Sequence, residues 1–167
     1  MRRWLRLAII VAIPIVLTMT LVRTLTLPWY PAWQYQREHF PDDPFGLSVS
    51  ERLRLARASI AFLNRPWRVT TLDDLRLADG SAAYTERELT HMDDVKRVYN
   101  ALTLAAAIAL GLAVVAAVHL VRQGDRCSVW TAVCQGSVAT LVLLAVLVVW
   151  MVIGFERFFE LFHGLFF

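Results

Sequence analysis

Two histidines, His91 and His163, have acidic residues at spacings that would bring imidazole and carboxylate onto one face of a helix. Glu88 precedes His91 by three residues and Asp94 follows it by three, while Glu160 precedes His163 by three. Residues three or four apart are neighbours on a helix surface. Because imidazole takes up and releases protons near neutral pH, each group is a candidate for general acid–base chemistry.

His163 also has a purely structural interpretation. The residues around His163 form a helical stripe of the kind that faces lipid or another helix, made of Phe155, Phe158, Phe159, Phe162 and Phe166. An imidazole in so apolar a stretch needs a polar partner, and Glu160 is placed to supply one. Of the remaining histidines, His39 is interpreted as a solvated loop residue and His119 as an interfacial residue near the end of an apolar run.

The helix that carries His91 is predicted to pass from water into lipid. Thr85 and Glu88 form a capping-box pattern, in which each residue's side chain accepts a hydrogen bond from the other's backbone amide. No proline or glycine occurs from Ala82 to Leu110, and within that range the residues change from polar to almost purely apolar. One helix with this change of character places His91 about two turns outside the membrane surface.

The composition indicates a membrane protein. Hydrophobic residues make up 57% of the 167 residues and charged residues only 19%, which is more apolar surface than one small core can bury. The apolar residues fall in three blocks long enough to cross a bilayer, at 7–27, 101–121 and 131–155. The last two blocks contain no lysine, arginine, aspartate or glutamate. We therefore predict an all-α integral membrane protein with three transmembrane helices and a small helical extracytoplasmic cap.

Basic residues predict the orientation of these spans. They precede the first span and flank the turn between the second and third, at Arg2, Arg3, Arg6, Arg122 and Arg126. Because such residues stay in the cytoplasm, we interpret 1–167 as one multi-pass membrane domain with a cytoplasmic N-terminus. The cap over 28–100 and a Phe-rich tail over 156–167 are then extracytoplasmic. The modest net charge of +3 lies in the loops, which points to anionic lipid headgroups and not to nucleic acid as the partner.

Three short blocks of the sequence resemble a known family. They are Glu88 to Lys96 (with the pattern HMxDV), Phe162 to Phe167 (with the pattern FHxLFF), and Gly46-Leu47-Ser48 at the head of a predicted outer helix. In type and order they are similar to the bacterial integral membrane family that includes the lipoprotein intramolecular transacylase. The resemblance covers the chain from the first span to its end, and the HMxDV block is its most specific part.

The resemblance implies an enzyme of the bacterial cytoplasmic membrane that acts on the diacylglyceryl-cysteine of a lipoprotein. The acyl chain at the glycerol sn-2 position would move to the α-amine of that cysteine and leave a lyso-form lipoprotein. Such a transfer needs a base for the amine, an acid for the leaving glycerol oxygen and stabilisation of the oxyanion. Because ester and amine belong to one molecule, proximity comes from the substrate. No protein nucleophile and no cofactor are expected.

Roles for individual residues follow from this expectation. We hypothesise that His91 is the general base, oriented by Asp94 or Glu88, and that His163 protonates the leaving oxygen or polarises the carbonyl, with Glu160 in support. The two histidines could exchange roles. The substrate headgroup could contact basic residues of the cap, for which a solvated surface position is the simpler interpretation: Arg65, Arg68 and Arg87.

Two alternatives come from other functional classes. His91, His163 and either Glu88 or Asp94 could hold zinc in a three-ligand catalytic site of a membrane hydrolase, although no HExxH pattern is present. The other alternative is a non-catalytic subunit that binds lipid or a partner through its Phe-rich tail. The family pattern implies a fourth span beyond the FHxLFF block, whereas this sequence ends at Phe167, so a truncated inactive homologue belongs to the same alternative. The sequence makes no prediction about oligomeric state.

Overall fold

The protein is described by a computed structural model over residues 1–65 and 72–166. Every regular element in these residues is a helix, apart from one isolated bridge between Arg76 and Ala82. The helices are α1 (Arg2–Leu25), α2 (Trp29–Tyr35), α3 (Val49–Asn64), α4 (Glu86–Arg122) and α5 (Arg126–Phe166). The prediction of an all-helical protein is confirmed.

Three of these helices are long and apolar enough to cross a membrane, and they are α1, α4 and the part of α5 from Arg126 to Gly164. Within their most apolar windows only 17%, 11% and 6% of the residues are buried inside the protein. Side chains this apolar would be costly to leave in water, so most of each helix surface is suited to lipid. The prediction of three potential spans is confirmed.

The chain forms two compact units. Unit 1 contains Met1–Leu21 and Ala101–Phe167, and unit 2 contains Val22–Asn100. Helices α1 and α4 therefore contribute to both units, with their apolar parts in unit 1 and their polar ends in unit 2. The interpretation of 1–167 as a single membrane domain stays a prediction.

Unit 1 is held together by close packing of small and branched residues. Its buried cluster joins the three long helices through Ile9, Ala116, Leu120 and Ala132. Gly136 of α5 allows the closest approach, since a Cβ at this position would lie 2.7 Å from the Cβ of Ile13 and 3.0 Å from the carbonyl oxygen of Ile10. Small residues at helix crossings are the usual means of close packing in membranes, where water supplies no hydrophobic driving force between helices.

The turn between α4 and α5 is closed by hydrogen bonds at both helix ends. The Gly124 amide donates to the Val121 carbonyl at 2.9 Å and the Asp125 amide donates to the Leu120 carbonyl at 3.0 Å, with Gly124 at a φ of 79°. This is the usual left-handed glycine C-cap. Asp125 then caps α5 by accepting from the Ser128 hydroxyl at 2.8 Å and the Ser128 amide at 3.2 Å. These bonds lower the pKa of Asp125, with smaller contributions from Arg2 and Arg6. Helix α5 consequently begins five residues before the predicted span at 131.

Helix α5 changes direction near its end. Gly154 has non-helical backbone angles (φ −158°, ψ 65°), and the residues before and after it are helical. Trp150 and Phe158 lie on opposite sides of this break and meet edge to face, with ring centroids 5.3 Å apart. The Phe-rich tail therefore starts at the position where the sequence places the end of the third span.

Unit 2 is built on α3 and its loops. Ser48 caps α3 by accepting from the Glu51 amide at 3.2 Å. The Glu51 carboxylate accepts from the Ala78 amide at 2.9 Å and from Arg54 at 3.3 Å, and so fixes the loop that precedes α4 against the first turn of α3. Ser59 and Tyr84 join the same two segments through hydroxyls 2.9 Å apart.

Candidate active site

His91 lies exposed on the second turn of α4. The start of that helix is fixed by the predicted capping box. The Glu88 carboxylate accepts from the Thr85 amide at 2.7 Å and from the Thr85 hydroxyl at 2.8 Å, and the Glu88 amide donates to the Thr85 hydroxyl at 3.4 Å. Both halves of the box are formed. The cap gives His91 a rigid backbone while its ring reaches solvent.

The two carboxylates predicted to orient His91 have other contacts. Glu88 holds the cap described above, and Asp94 is half-buried and accepts from the Arg97 guanidinium at 3.2 Å. Neither contact prevents a second one, since a carboxylate has two oxygens and about four acceptor directions. The orienting roles of Glu88 and Asp94 stay predictions.

His163 is half-buried in the tail of α5. Its ring stacks on Phe159 with centroids 5.5 Å apart and an interplanar angle of 20°. Phe155 stacks on Phe159 in turn, at 6.1 Å, and Phe158 stacks on Phe162 at 5.9 Å. One face of the His163 ring is therefore in contact with an aromatic neighbour. Glu160 is exposed, and its pairing with His163 stays a prediction, as does the role of His163 itself.

The structure describes two of the three arginines proposed for headgroup contact. Arg65 is exposed at the C-terminal end of α3, and Arg87 is exposed in the first turn of α4. Arg68 lies outside the described residues, as does Phe167, the last residue of the FHxLFF block. Exposed guanidinium groups at helix ends are free to meet an anionic headgroup, which is compatible with the proposed contact.

A partly buried polar cluster in unit 2 was missed by the sequence interpretation. The Tyr99 hydroxyl donates to the Asn64 side-chain oxygen at 2.9 Å and lies 2.8 Å from the Thr26 hydroxyl. The Asn64 amide donates to the backbone carbonyls of Thr26 at 2.7 Å and Ile60 at 3.1 Å. This Tyr99 cluster (Thr26, Asn64 and Tyr99) joins the ends of α1 and α3 to α4, two turns after His91.

Two cations lie over aromatic rings beside this cluster. The Arg23 guanidinium is 5.8 Å from the centroid of Tyr99, and the Lys96 ammonium is 4.0 Å from the centroid of Phe62. Cations bind favourably to the faces of aromatic rings, and more strongly where water is excluded. In the sequence, Thr26, Asn64 and Tyr99 are polar residues beside apolar stretches, but no spacing indicates that they pair.

The two candidate catalytic histidines belong to different units, His91 to unit 2 and His163 to unit 1. Over its described residues, neither unit gathers three or more histidine, cysteine, aspartate or glutamate side chains into a group that could hold a metal ion. Each unit therefore contains one of the two candidate catalytic imidazoles, His91 on α4 and His163 on α5.

Comparison with known proteins places the chain in a family. The family model for the lipoprotein intramolecular transacylase, Lit, matches residues 6–167, which is nearly the whole chain. The chain belongs to the Lit family. The family resemblance found in the HMxDV and FHxLFF blocks is thereby confirmed.

A relative of this Lit family member occurs in Aquifex aeolicus (strain VF5). It is 28% identical over 167 residues, which cover all of this chain and 74% of the relative, and it is described as an uncharacterized protein. No solved structure matches the chain. The family name associates this Lit protein with acyl transfer on lipoproteins, and its three long apolar helices associate it with a membrane.

Proposed function

We propose that this Lit family member is a lipoprotein intramolecular transacylase of the bacterial cytoplasmic membrane. Its substrate is the diacylglyceryl-cysteine at the N-terminus of a lipoprotein, and its product is the N-acyl, monoacylglyceryl lyso form. The observation that carries the proposal is the family match over residues 6–167, which contains both candidate histidines.

The reaction requires balanced proton transfers at two atoms. The cysteine α-amine attacks the carbonyl carbon of the sn-2 ester, and the resulting tetrahedral intermediate breaks its bond to the glycerol oxygen. The amine nitrogen loses one proton and the glycerol oxygen gains one, so no net proton is consumed. We assign the first transfer to His91 as general base and the second to His163 as general acid; the reverse assignment uses the same groups.

The local geometry supports these roles. His91 is solvent-exposed on a capped helix, so it can exchange its proton with water after each turnover. His163 is half-buried and stacked on Phe159, which is suited to a group that protonates an oxygen within lipid. Asp94, Glu88 and Glu160 are proposed to assist, and Arg65, Arg68 and Arg87 are proposed to contact the substrate headgroup.

The contact between Arg2 and Asp125 supports the predicted orientation. These side chains lie 3.8 Å apart and place the start of α1 beside the α4–α5 turn. All of the juxtamembrane arginines predicted to be cytoplasmic belong to these two segments. By the positive-inside rule we propose that this end of unit 1 is cytoplasmic and that residues 28–100 and the reaction are extracytoplasmic.

The experiment is mass spectrometry of the N-terminal lipopeptide of a reporter lipoprotein, co-expressed in a bacterial host that lacks N-acylation. Transacylation leaves the total mass unchanged, so fragmentation must locate the moved acyl chain on the cysteine nitrogen. We expect the wild-type chain to produce this isomer and His91→Ala and His163→Ala to abolish it.

Matched controls are available in each unit. His39 is exposed and has a φ of 66°, so His39→Asn preserves its left-handed backbone. His119 lies 2.9 Å from Gln123 near the end of α4, and His119→Gln keeps a polar side chain there. Both controls should retain activity. An unchanged lipopeptide with the wild-type chain would contradict the proposal.

The alternative of a lipid- or partner-binding subunit retains some support from the tail of α5. Phe155, Phe159 and Phe162 are 61%, 52% and 49% exposed, which leaves an apolar surface for a membrane or a partner. Retained lipopeptide isomerisation by the 167-residue chain would rule out a purely non-catalytic role. The metal-dependent hydrolase alternative is tested by metal analysis of purified protein together with activity in the presence of a chelator.

A further inference from the structure

The tail of α5, residues 155–164, is an amphipathic helix that follows the break at Gly154. At 3.6 residues per turn, its four phenylalanines fall within an arc of about 100° on one face, at positions 155, 158, 159 and 162. Its charged residues fall within a similar arc on roughly the opposite face, and they are Glu156, Arg157 and Glu160. His163 and Leu161 occupy the two boundaries between the phenylalanine face and the charged face.

The part of α5 before Gly154 is already long enough to cross a bilayer. The 23 residues from Thr131 to Ile153 have a length of about 34 Å at a helical rise of about 1.5 Å per residue, whereas the hydrocarbon core is about 30 Å thick. By length and composition alone a span could extend as far as Gly164. A straight continuation, however, would leave either the phenylalanines in water or the charged residues in lipid, and both are unfavourable.

The contact between Trp150 and Phe158 shows which face of the tail is turned towards the span. Their ring centroids lie 5.3 Å apart, although residues eight apart are separated by about 12 Å along a straight helix. The bend at Gly154 therefore brings the two rings together. Because Phe158 belongs to the phenylalanine face, that face turns back towards the apolar part of α5, where Trp150 is itself 42% exposed. The exposed apolar surface thus continues from the span into the tail.

We propose that the tail of α5 lies in the plane of the bilayer surface and binds the lipid there. Its phenylalanine face lies at the boundary between headgroups and acyl chains, and its charged face lies in water. This position places His163, at the edge between the two faces, at the level where lipid meets water. The proposal concerns the position of the tail and does not depend on the transacylase activity. For a transacylase, this is also the level of the glycerol esters of its substrate.

The test is site-directed spin labelling of the full chain in vesicles of phosphatidylcholine with a minor fraction of phosphatidylglycerol. The free cysteines, Cys127 and Cys134, are replaced by serine, and one nitroxide at a time is attached in the variants Phe155→Cys, Glu156→Cys, Phe159→Cys and Glu160→Cys. Oxygen concentrates in lipid and a nickel chelate stays in water, so collisions with each reagent report the depth of the label. We expect labels on the phenylalanine face to favour oxygen and labels on the charged face to favour nickel, with no steady drift along the tail.

Labels within the span provide the reference. Val142, Val146 and Val149 are exposed on α5 before the break. Their labels should change depth steadily with position, by about 6 Å between Val142 and Val146. The tail should lack this gradient, since all of its residues lie at nearly the same level and only the face changes.

Two double variants test whether the phenylalanines hold the tail on the bilayer. Phe155→Gln combined with Phe162→Gln removes two apolar side chains that burial in lipid stabilises, so the label at residue 159 should move from oxygen contact to nickel contact. Glu156→Gln combined with Arg157→Gln changes as many residues on the charged face, keeps the net charge, and should leave that label in lipid. Circular dichroism and the label at residue 146 check the fold. If the phenylalanine variant unfolds, the labels in the otherwise unchanged chain decide the question.

Three results would overturn the proposal. A steady drift in depth through the tail, like that from residue 142 to residue 149, would show that α5 continues in one direction past Gly154. Nickel contact on both faces would show that the tail lies in water. Protection of the phenylalanine face from both reagents would show that protein covers it, from a second copy or from another partner, in place of lipid.

Discussion

His91 and His163 carry the same imidazole, but the regions around them are built by different interactions. The His91 region is fixed by hydrogen bonds, through the Thr85–Glu88 cap on one side and the Tyr99 cluster on the other. The His163 region is fixed by aromatic stacking in a helical segment that follows a break at Gly154. Hydrogen bonds hold a side chain or backbone in one geometry, whereas stacked rings tolerate sliding and exchange of apolar neighbours. We therefore expect the two regions to respond differently to the same kind of change.

The largest expected effect is the loss of either imidazole. Removing a general acid or base lowers a rate by about 10²–10⁴-fold, so we expect losses of this size in His91→Ala and His163→Ala, measured as the rate of N-acyl product formation on a purified diacylated reporter. The exposure of His91 suggests a further difference. Imidazole added to the buffer should restore part of the activity of His91→Ala and little of that of His163→Ala.

Equal rescue of the two variants would contradict the contrast between an exposed and a half-buried imidazole. Full activity in either variant would remove that histidine from the mechanism. His39→Asn and His119→Gln serve as controls, and they should neither lose activity nor respond to imidazole.

The Tyr99 cluster provides the second test. Tyr99 is buried, and Tyr99→Phe keeps the ring while it removes the hydroxyl that joins Asn64 and Thr26. Because the half-buried Asn64 and Thr26 then each lose a hydrogen bond, we expect a loss of about 0.5–1.5 kcal/mol, measured as faster amide hydrogen exchange in α3 and in the part of α4 around residues 91–99. Exchange in the tail of α5 should not change, and an equal change there would contradict local action. Gln36→Ala, at an exposed helix end, is the control.

A smaller effect is expected from the helix cap. Replacing an N-cap threonine by alanine costs about 1 kcal/mol, so Thr85→Ala should loosen the first turn of α4 and raise hydrogen exchange at the amides of Glu88 and Leu89. The rate of acyl transfer should fall modestly, because His91 stays on the helix but loses part of its rigid support. Thr85→Ser, which retains the hydroxyl, should behave like wild type. A loss of activity in Thr85→Ser as large as in Thr85→Ala would rule out the capping explanation.

The sequence contains two capping-box patterns, at Thr85–Glu88 and at Ser48–Glu51, and together they show how far local structure could be predicted. Thr85 and Glu88 form both halves of the box, as predicted. Ser48 and Glu51 form only one half, because the Glu51 carboxylate accepts from Ala78, which lies 27 residues further along the chain. The pattern correctly marks the start of both helices. It cannot anticipate a competing donor that only the tertiary fold brings close.

The spans and the Tyr99 cluster also show that local sequence patterns predict helices but not contacts between distant segments. Long apolar runs without charges predict spanning helices by length and composition alone, and these predictions were confirmed. The Tyr99 cluster joins residues from three separate segments, and no local spacing relates Thr26 to Asn64 or Tyr99. The break at Gly154 was likewise not predicted, since glycine also occurs within uninterrupted helix at Gly111 and Gly136.

The smallest expected effect concerns the aromatic support of His163. Phe159 stacks on His163 and on Phe155, and an aromatic pair contributes about 0.5–1.5 kcal/mol beyond the apolar area it buries. Phe159→Leu keeps an apolar side chain of similar reach and removes only the ring stacking. We expect the rate of acyl transfer to fall by about threefold to tenfold, in line with that energy. Phe45→Leu is the control, because Phe45 is 88% exposed in a loop of unit 2.

Combining Phe159→Leu with each histidine variant tests whether Phe159 acts through His163. If stacking orients the His163 ring, Phe159→Leu should lower the rate in wild type but have no further effect in His163→Ala, because the group that it orients is already absent. The same substitution combined with His91→Ala should retain its full effect, since the two histidines act at different atoms. Equal effects of Phe159→Leu in both histidine backgrounds would mean that Phe159 supports the tail of α5 as a whole and not the orientation of His163.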